Sequence, residues 1–209
     1  MRRALLVFVL LAGAGAMIGV EAAAAKAVPC SARPGTTVLA NPVARVFTRR
    51  SGVYSTTTYV CDVASRRVRS LGDGETTVTK AILRLKSLSG HFFAFVYEKG
   101  ERGGATRIVS VVDIRTGRGR AFEQPAQRRN QSGEDPPVTA LTITAAGSVA
   151  WIVGTGPETP GVYEVHAVPV GGTDTVLSSG DAVESRSLAA ARGVVYWSEG
   201  GAPRRADLP

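Results

Sequence analysis

Gly90-His91-Phe92-Phe93-Ala94-Phe95-Val96 is the stretch on which the reading of the fold turns, because it recurs. Gly147-Ser148-Val149-Ala150-Trp151-Ile152-Val153 and Gly193-Val194-Val195-Tyr196-Trp197-Ser198-Glu199 share its frame, a glycine followed by an apolar run with an aromatic residue inside it. Val46-Phe47 is a shorter fourth copy. Phe47, Phe95, Trp151 and Trp197 therefore stand roughly fifty residues apart, a period that belongs to stacked or radially arranged units.

Each aromatic run is followed by a second element. The segments 59–71 and 110–122 align without a gap, which puts Asp62 and Asp113 at the same point. Each segment reads as a strand, a short polar turn and another strand. Arg115-Thr116-Gly117-Arg118 is a good hairpin turn, since glycine takes a positive φ without steric cost. The third copy is looser: Val162–Val170, then Gly171-Gly172, then Thr175–Leu177, with Pro169 expected at an edge or a bulge. A leading strand precedes each run: Thr36–Leu39, Ala81–Leu88, Val138–Thr144 and Ser185–Ala190. The last three alternate apolar with polar residues, as a half-buried strand must. No long segment has helical spacing. These units predict an all-β fold, a small β-propeller of about four blades whose last blade lacks its outer strand. A β-sandwich is the alternative.

Ser87-Leu88-Ser89-Gly90-His91-Phe92-Phe93-Ala94-Phe95-Val96, followed by Arg107–Gly117, resembles the TolB-like, WD-repeat-like β-propeller repeat of bacterial exported proteins. The third unit, with Ala150-Trp151-Ile152-Val153 and Val162-Tyr163-Glu164-Val165, is similar, and the likeness spans roughly 140 residues. The family's Ser-Pro-Asp-Gly turn is replaced by Leu88-Ser89-Gly90 and Ala145-Ala146-Gly147. The resemblance implies a scaffold whose loops or central channel bind something, and it names no chemistry.

The N-terminus addresses compartment. Met1-Arg2-Arg3 precedes an apolar run from Ala4 to Val20, and Ala22–Ala25 supplies small-residue cleavage sites. Residues 1–25 thus read as a cleaved secretory signal and 26–209 as one β-propeller-like domain, secreted or associated with the cell envelope. An uncleaved anchor is the alternative; after cleavage no membrane span is expected. Cys30 and Cys61 are the two cysteines, and in an exported chain they are expected to pair; two free thiols are the other option.

The whole chain carries a net charge of +8, nearly all of it from arginine. The basic balance fits an anionic partner such as a cell-envelope polymer. It equally fits a scatter of solvated charges, since pairs such as Arg49-Arg50, Arg66-Arg67, Arg128-Arg129 and Arg204-Arg205 are spread over the repeats. Nucleic acid is not expected as a partner; an unknown protein or an anionic envelope polymer is.

The search for chemistry assigns no catalytic, metal or cofactor residue. His91 and His166 lack a second ligand at metal spacing. Asp62, Asp113 and Asp207 recur at related positions; they read as acceptors for turn amides, with a ring of carboxylates as the functional reading. Asp73-Gly74-Glu75 is too sparse for a calcium loop. Acid pairs that a glycosidase could use, Glu98 with Glu101 or Glu134 with Asp135, lie in loops. The segment 123–137 is the least repeat-like and reads as a long loop, either a binding element or an insertion. The expected function is a non-enzymatic exported binding module; the alternatives are a subunit of a larger envelope assembly or a carbohydrate-active hydrolase.

Overall fold

The structure is a computed structural model, and it describes residues 28–53, 55–73, 81–101, 104–123, 135–156 and 161–209. The signal segment 1–25, most of the 123–137 loop, and Gly74 and Glu75 lie outside the described residues. The fold is all-β. Its strands follow one another in four antiparallel meanders. The first sheet is β1 (Thr36–Ala40), β2 (Ala44–Arg50), β3 (Thr56–Asp62) and β4 (Val68–Asp73). The second is β5 (Ala81–Ser89), β6 (Phe92–Glu101), β7 (Gly104–Asp113) and β8 (Gly119–Glu123). The third is β9 (Val138–Ile143), β10 (Val149–Gly154), β11 (Tyr163–Val168) and β12 (Thr175–Gly180). The fourth has three strands, β13 (Ala189–Ala191), β14 (Val194–Glu199) and β15 (Ala202–Asp207). No helix among the described residues is long and apolar enough to cross a membrane.

Three of the four tight turns between a leading strand and its aromatic strand rest on the frame glycine. Gly90, Gly147 and Gly193 have φ of 54°, 96° and 77°, which a side chain adopts only under strain. At Gly147 a Cβ would also stand 2.7 Å from the Phe92 ring. The first sheet solves the same turn differently. Asn41 Oδ1 accepts from the amides of Val43 and Ala44 at 3.0 and 2.8 Å, so a side chain closes the turn and no glycine is needed.

Period-two alternation explains how so many apolar residues are used. Along β6, Ala94 and Val96 join Val149, Trp151 and Val153 of the third sheet, while Phe93 and Phe95 join Ala44, Val46 and Val60 of the first. Along β10, Ala150 and Ile152 turn the other way, towards Val195 and Trp197 of the fourth sheet. The two middle sheets are therefore buried on both faces, and β10 is buried at every position. A strand covered on both sides must be apolar throughout, which is why these runs do not alternate in sequence.

Three details differ from the sequence reading. Glu98 and Glu101, expected in a loop, lie within β6, because the hairpin pairing runs to its tip. The leading strand of the fourth sheet is only Ala189–Ala191, because residues 185–188 turn, with the Ser187 amide donating to Glu184 O at 3.2 Å. Pro169 lies just beyond β11 and not inside a strand; its carbonyl accepts from the Gly172 amide at 3.0 Å and closes the turn into β12.

Candidate functional site

The leading strands lie side by side, β5 packing on β9, β9 on β13 and β1 on β5. Residues near the starts of β5, β9 and β13 meet at one cleft, and residues at their ends meet at another, so these strands run the same way. The first cleft encloses about 620 Å³. Its walls are Leu85, Pro137, Val138, Ala140, Leu141 and Leu188, and its charged residues are Arg84, Arg107, Arg186 and Glu98.

The hairpin register builds the polar floor. Glu98 on β6 faces Arg107 on β7, and Arg107 Nε donates to Glu98 Oε2 at 3.2 Å. A register shift between Leu83 and Lys86 carries Arg84 to the same carboxylate, its Nε 3.5 Å from Oε2. Arg107 is committed further: its guanidinium donates to Asp135 O, and its amide donates to Asp135 Oδ2 at 2.7 Å. Asp135, which opens the approach to β9, is thereby tied to the second sheet although it is buried. Arg84 is largely exposed, with only its Nε facing Glu98. Arg186 is exposed on the turn before β13 and has no hydrogen-bond or ion-pair partner among the described residues. Glu184 beside it accepts from the Gly201 amide at 3.2 Å instead. Among the described residues, three guanidiniums and one carboxylate line the cleft, and no aromatic residue does.

The residues singled out in the sequence lie elsewhere. Phe47, Phe95, Trp151 and Trp197 are core. Phe95, Trp151 and Trp197 each pack against the sheet that precedes their own, and Phe47, with no sheet before it among the described residues, packs against Cys30 and Cys61. Cys30 and Cys61 form a disulfide with Cα atoms 5.9 Å apart. Asp62 Oδ2 accepts from the Ser65 amide at 3.0 Å and from the Ser65 hydroxyl. Asp113 accepts from the Arg115 amide at 2.9 Å and the Thr116 hydroxyl at 2.9 Å. Both carboxylates close the turns that follow β3 and β7. Asp207 is exposed near the end of β15 and holds no such turn. Burial pushes the Asp62 carboxyl up, but the Ser65 hydroxyl and amide, His91 and Arg115 together outweigh it and hold Asp62 below its usual value.

The histidines are structural neighbours of these sheets. His91 Nδ1 stands 3.3 Å from Asp62 Oδ1 and bridges the first two sheets. His166 is buried; its Nδ1 meets the Asp174 carboxylate and its Nε2 meets Glu164 Oε2, each at 2.9 Å. Its ring stacks on Trp151 with centroids 5.1 Å apart, and Phe122 of the second sheet stacks 5.8 Å from the same indole. Both ring nitrogens of His166 are thus engaged within the protein. Among the described residues no group of three or more His, Cys, Asp or Glu is placed to hold a metal ion.

Sequence reasoning passed over the cleft. It weighed Glu98 only as one of an acid pair and did not weigh Arg84, Arg107 or Arg186 at all. The one available signal was the hairpin, since pairing 92–101 with 104–113 puts Glu98 opposite Arg107. No protein-family model matches the chain, and a search of curated proteins found no match.

Proposed function

We propose that the chain is an exported, non-enzymatic binding module on a small four-bladed β-propeller with an open seam between its first and fourth sheets, and with its ligand in the cleft at the starts of the leading strands. Four consecutive meanders, leading strands that lie side by side in one direction, and middle sheets buried on both faces support a propeller over a two-layer sandwich. The observation that carries the binding reading is that cleft: three separate sheets contribute to it, its walls are apolar, and two of its guanidiniums, Arg84 and Arg186, keep nitrogens that no contact among the described residues uses. Among the described residues its lining holds a single carboxylate, Glu98, which already serves Arg84 and Arg107. Hydrolysis by a carboxylate pair would need a second.

Amide chemical shifts recorded while the purified protein is titrated with soluble cell-envelope fractions test the reading. Shifts centred on Val138–Leu141 and Leu188 are expected. Shifts confined to the far ends of the leading strands, or none, would remove the cleft as the site. Spin labels on Thr37 of β1 and Ala190 of β13 test the architecture: a propeller brings them close across the centre, and a linear stack keeps them apart.

The outer edge of β15, unpaired among the described residues, favours a second reading, a subunit of a larger assembly. The Leu208 amide donates to Gly193 O, so by alternation Pro203, Arg205 and Asp207 turn their backbone groups outward. A concentration-dependent sedimentation coefficient would support that reading, and a constant monomer mass would count against it.

A further inference from the structure

Resting on the cleft as the binding site, we propose that its ligand is an aliphatic polyanion, a saturated, ring-free chain that carries phosphate or carboxylate groups, held by Arg84 and Arg186. Among the described residues, three guanidiniums against one carboxylate leave the lining with an excess of two positive charges. The arginines also divide the labour. Arg107 is spent on Glu98 and on Asp135, so it fixes the floor and is not available for a ligand. Arg84 touches Glu98 through Nε alone and keeps both Nη groups, the fork that grips an oxyanion in a bidentate manner. Arg186 has no partner among the described residues, and the acid nearest to it in sequence, Glu184, is occupied by Gly201.

The remaining walls decide what the anion is attached to. Leu85, Val138, Leu141 and Leu188 present branched aliphatic surface to a chain lying in the cleft. Single-stranded nucleic acid is held largely by stacking on aromatic platforms, and among the described residues the lining has none, so unstacked nucleobases would gain little here. A flexible chain with charges spaced along it satisfies both features: methylene groups cover the leucines while successive anionic groups reach the two arginines.

The experiment is a set of titrations of the purified full chain with poly(glycerol phosphate), polyacrylate and a single-stranded oligonucleotide matched in charge, each at several salt concentrations. One or both aliphatic polymers should bind more tightly than the oligonucleotide; which of them does so names the anionic group. The Arg84→Ala/Arg186→Ala double variant should bind about tenfold or more weaker, the size expected for lost charge-assisted contacts. Its salt dependence should fall by roughly one unit of slope per arginine removed. The control is Arg205→Ala on β15, outside the cleft, which should change binding little. An equal loss in Arg205→Ala, or a preference for the oligonucleotide, would show general attraction to a basic protein and overturn the proposal. If no polyanion binds but envelope fractions still shift the cleft amides, the ligand class falls while the site reading stands. If the cleft amides never move, the site reading falls and takes the ligand class with it.

Discussion

The first and fourth sheets answer the same problem in opposite ways. Each sits at one end of the described series and, among the described residues, has one face with no neighbouring sheet. On the first, Phe47, Tyr59, Cys61 and Val68 fill that face, and Cys30 lies on them as the other half of the disulfide. Arg45 completes the cover: its guanidinium carbon stands 4.8 Å from the Phe47 ring centroid while its nitrogens donate to the carbonyls of Cys30, Arg33 and Gly35. Arg49 lies over Tyr59 in the same manner. On the fourth sheet the corresponding face carries Tyr196, 38% exposed, with no such cover among the described residues. Strands alone do not decide whether an end face is core or surface. A segment from outside the sheet decides it, and here that segment is residues 28–35.

Truncating one residue on each face breaks the comparison most directly. Phe47→Ala should cost about 3–5 kcal/mol in chemical denaturation, as for a buried aromatic. A cost near zero would mean that the cover does not pack. Removing the staple with Cys30→Ala/Cys61→Ala should cost about 3–4 kcal/mol, the chain-entropy value for cysteines 31 apart in sequence. Melting with and without reductant measures it, and Trp197, buried against the third sheet, should keep its emission until global unfolding. The acid response sharpens the contrast further. Because the folded state holds the Asp62 carboxyl below its usual 3.8, that group contributes stability above this pH and loses it as pH falls through the lower folded value. Asp62→Asn should flatten the loss of melting temperature on acidification, and an unchanged acid profile would rule out that linkage. At the other end Tyr196→Ser should change stability by about 0.5 kcal/mol or less. A larger cost would reveal a neighbour on the fourth sheet's free face.

The same contrast marks how far the sequence could be read. Strand positions were legible because glycine frames, aromatic runs and alternation are local, and so was the pairing of two lone cysteines. The direction of each aromatic side chain was not, since period two places it on one of two faces and both faces of β6 and β10 are apolar. Nor was the Arg45 cover, which depends on three carbonyls brought together by a turn before β1. The cleft was the least legible. It needs a register shift in β5, a carboxylate on β6, a loop residue, Asp135, and an arginine, Arg186, from roughly a hundred residues beyond Arg84 in the sequence. Composition showed arginines scattered along the chain, and only the stacking order of the sheets gathers three of them.

Phe95, Trp151 and Trp197 each reach back to the sheet before their own, which gives the assembly a polarity like that of overlapping roof tiles. Every unit finishes the surface of its predecessor and leaves its own far surface for a successor. Phe47 breaks the rule, since a disulfide-pinned flap takes the predecessor's place, so the first sheet's outer face is occupied while the fourth's carries an exposed tyrosine. A duplicated copy of the third unit grafted after Asp207 would find Tyr196 waiting for an indole. The same copy grafted ahead of Thr36 would have to evict Cys30 first.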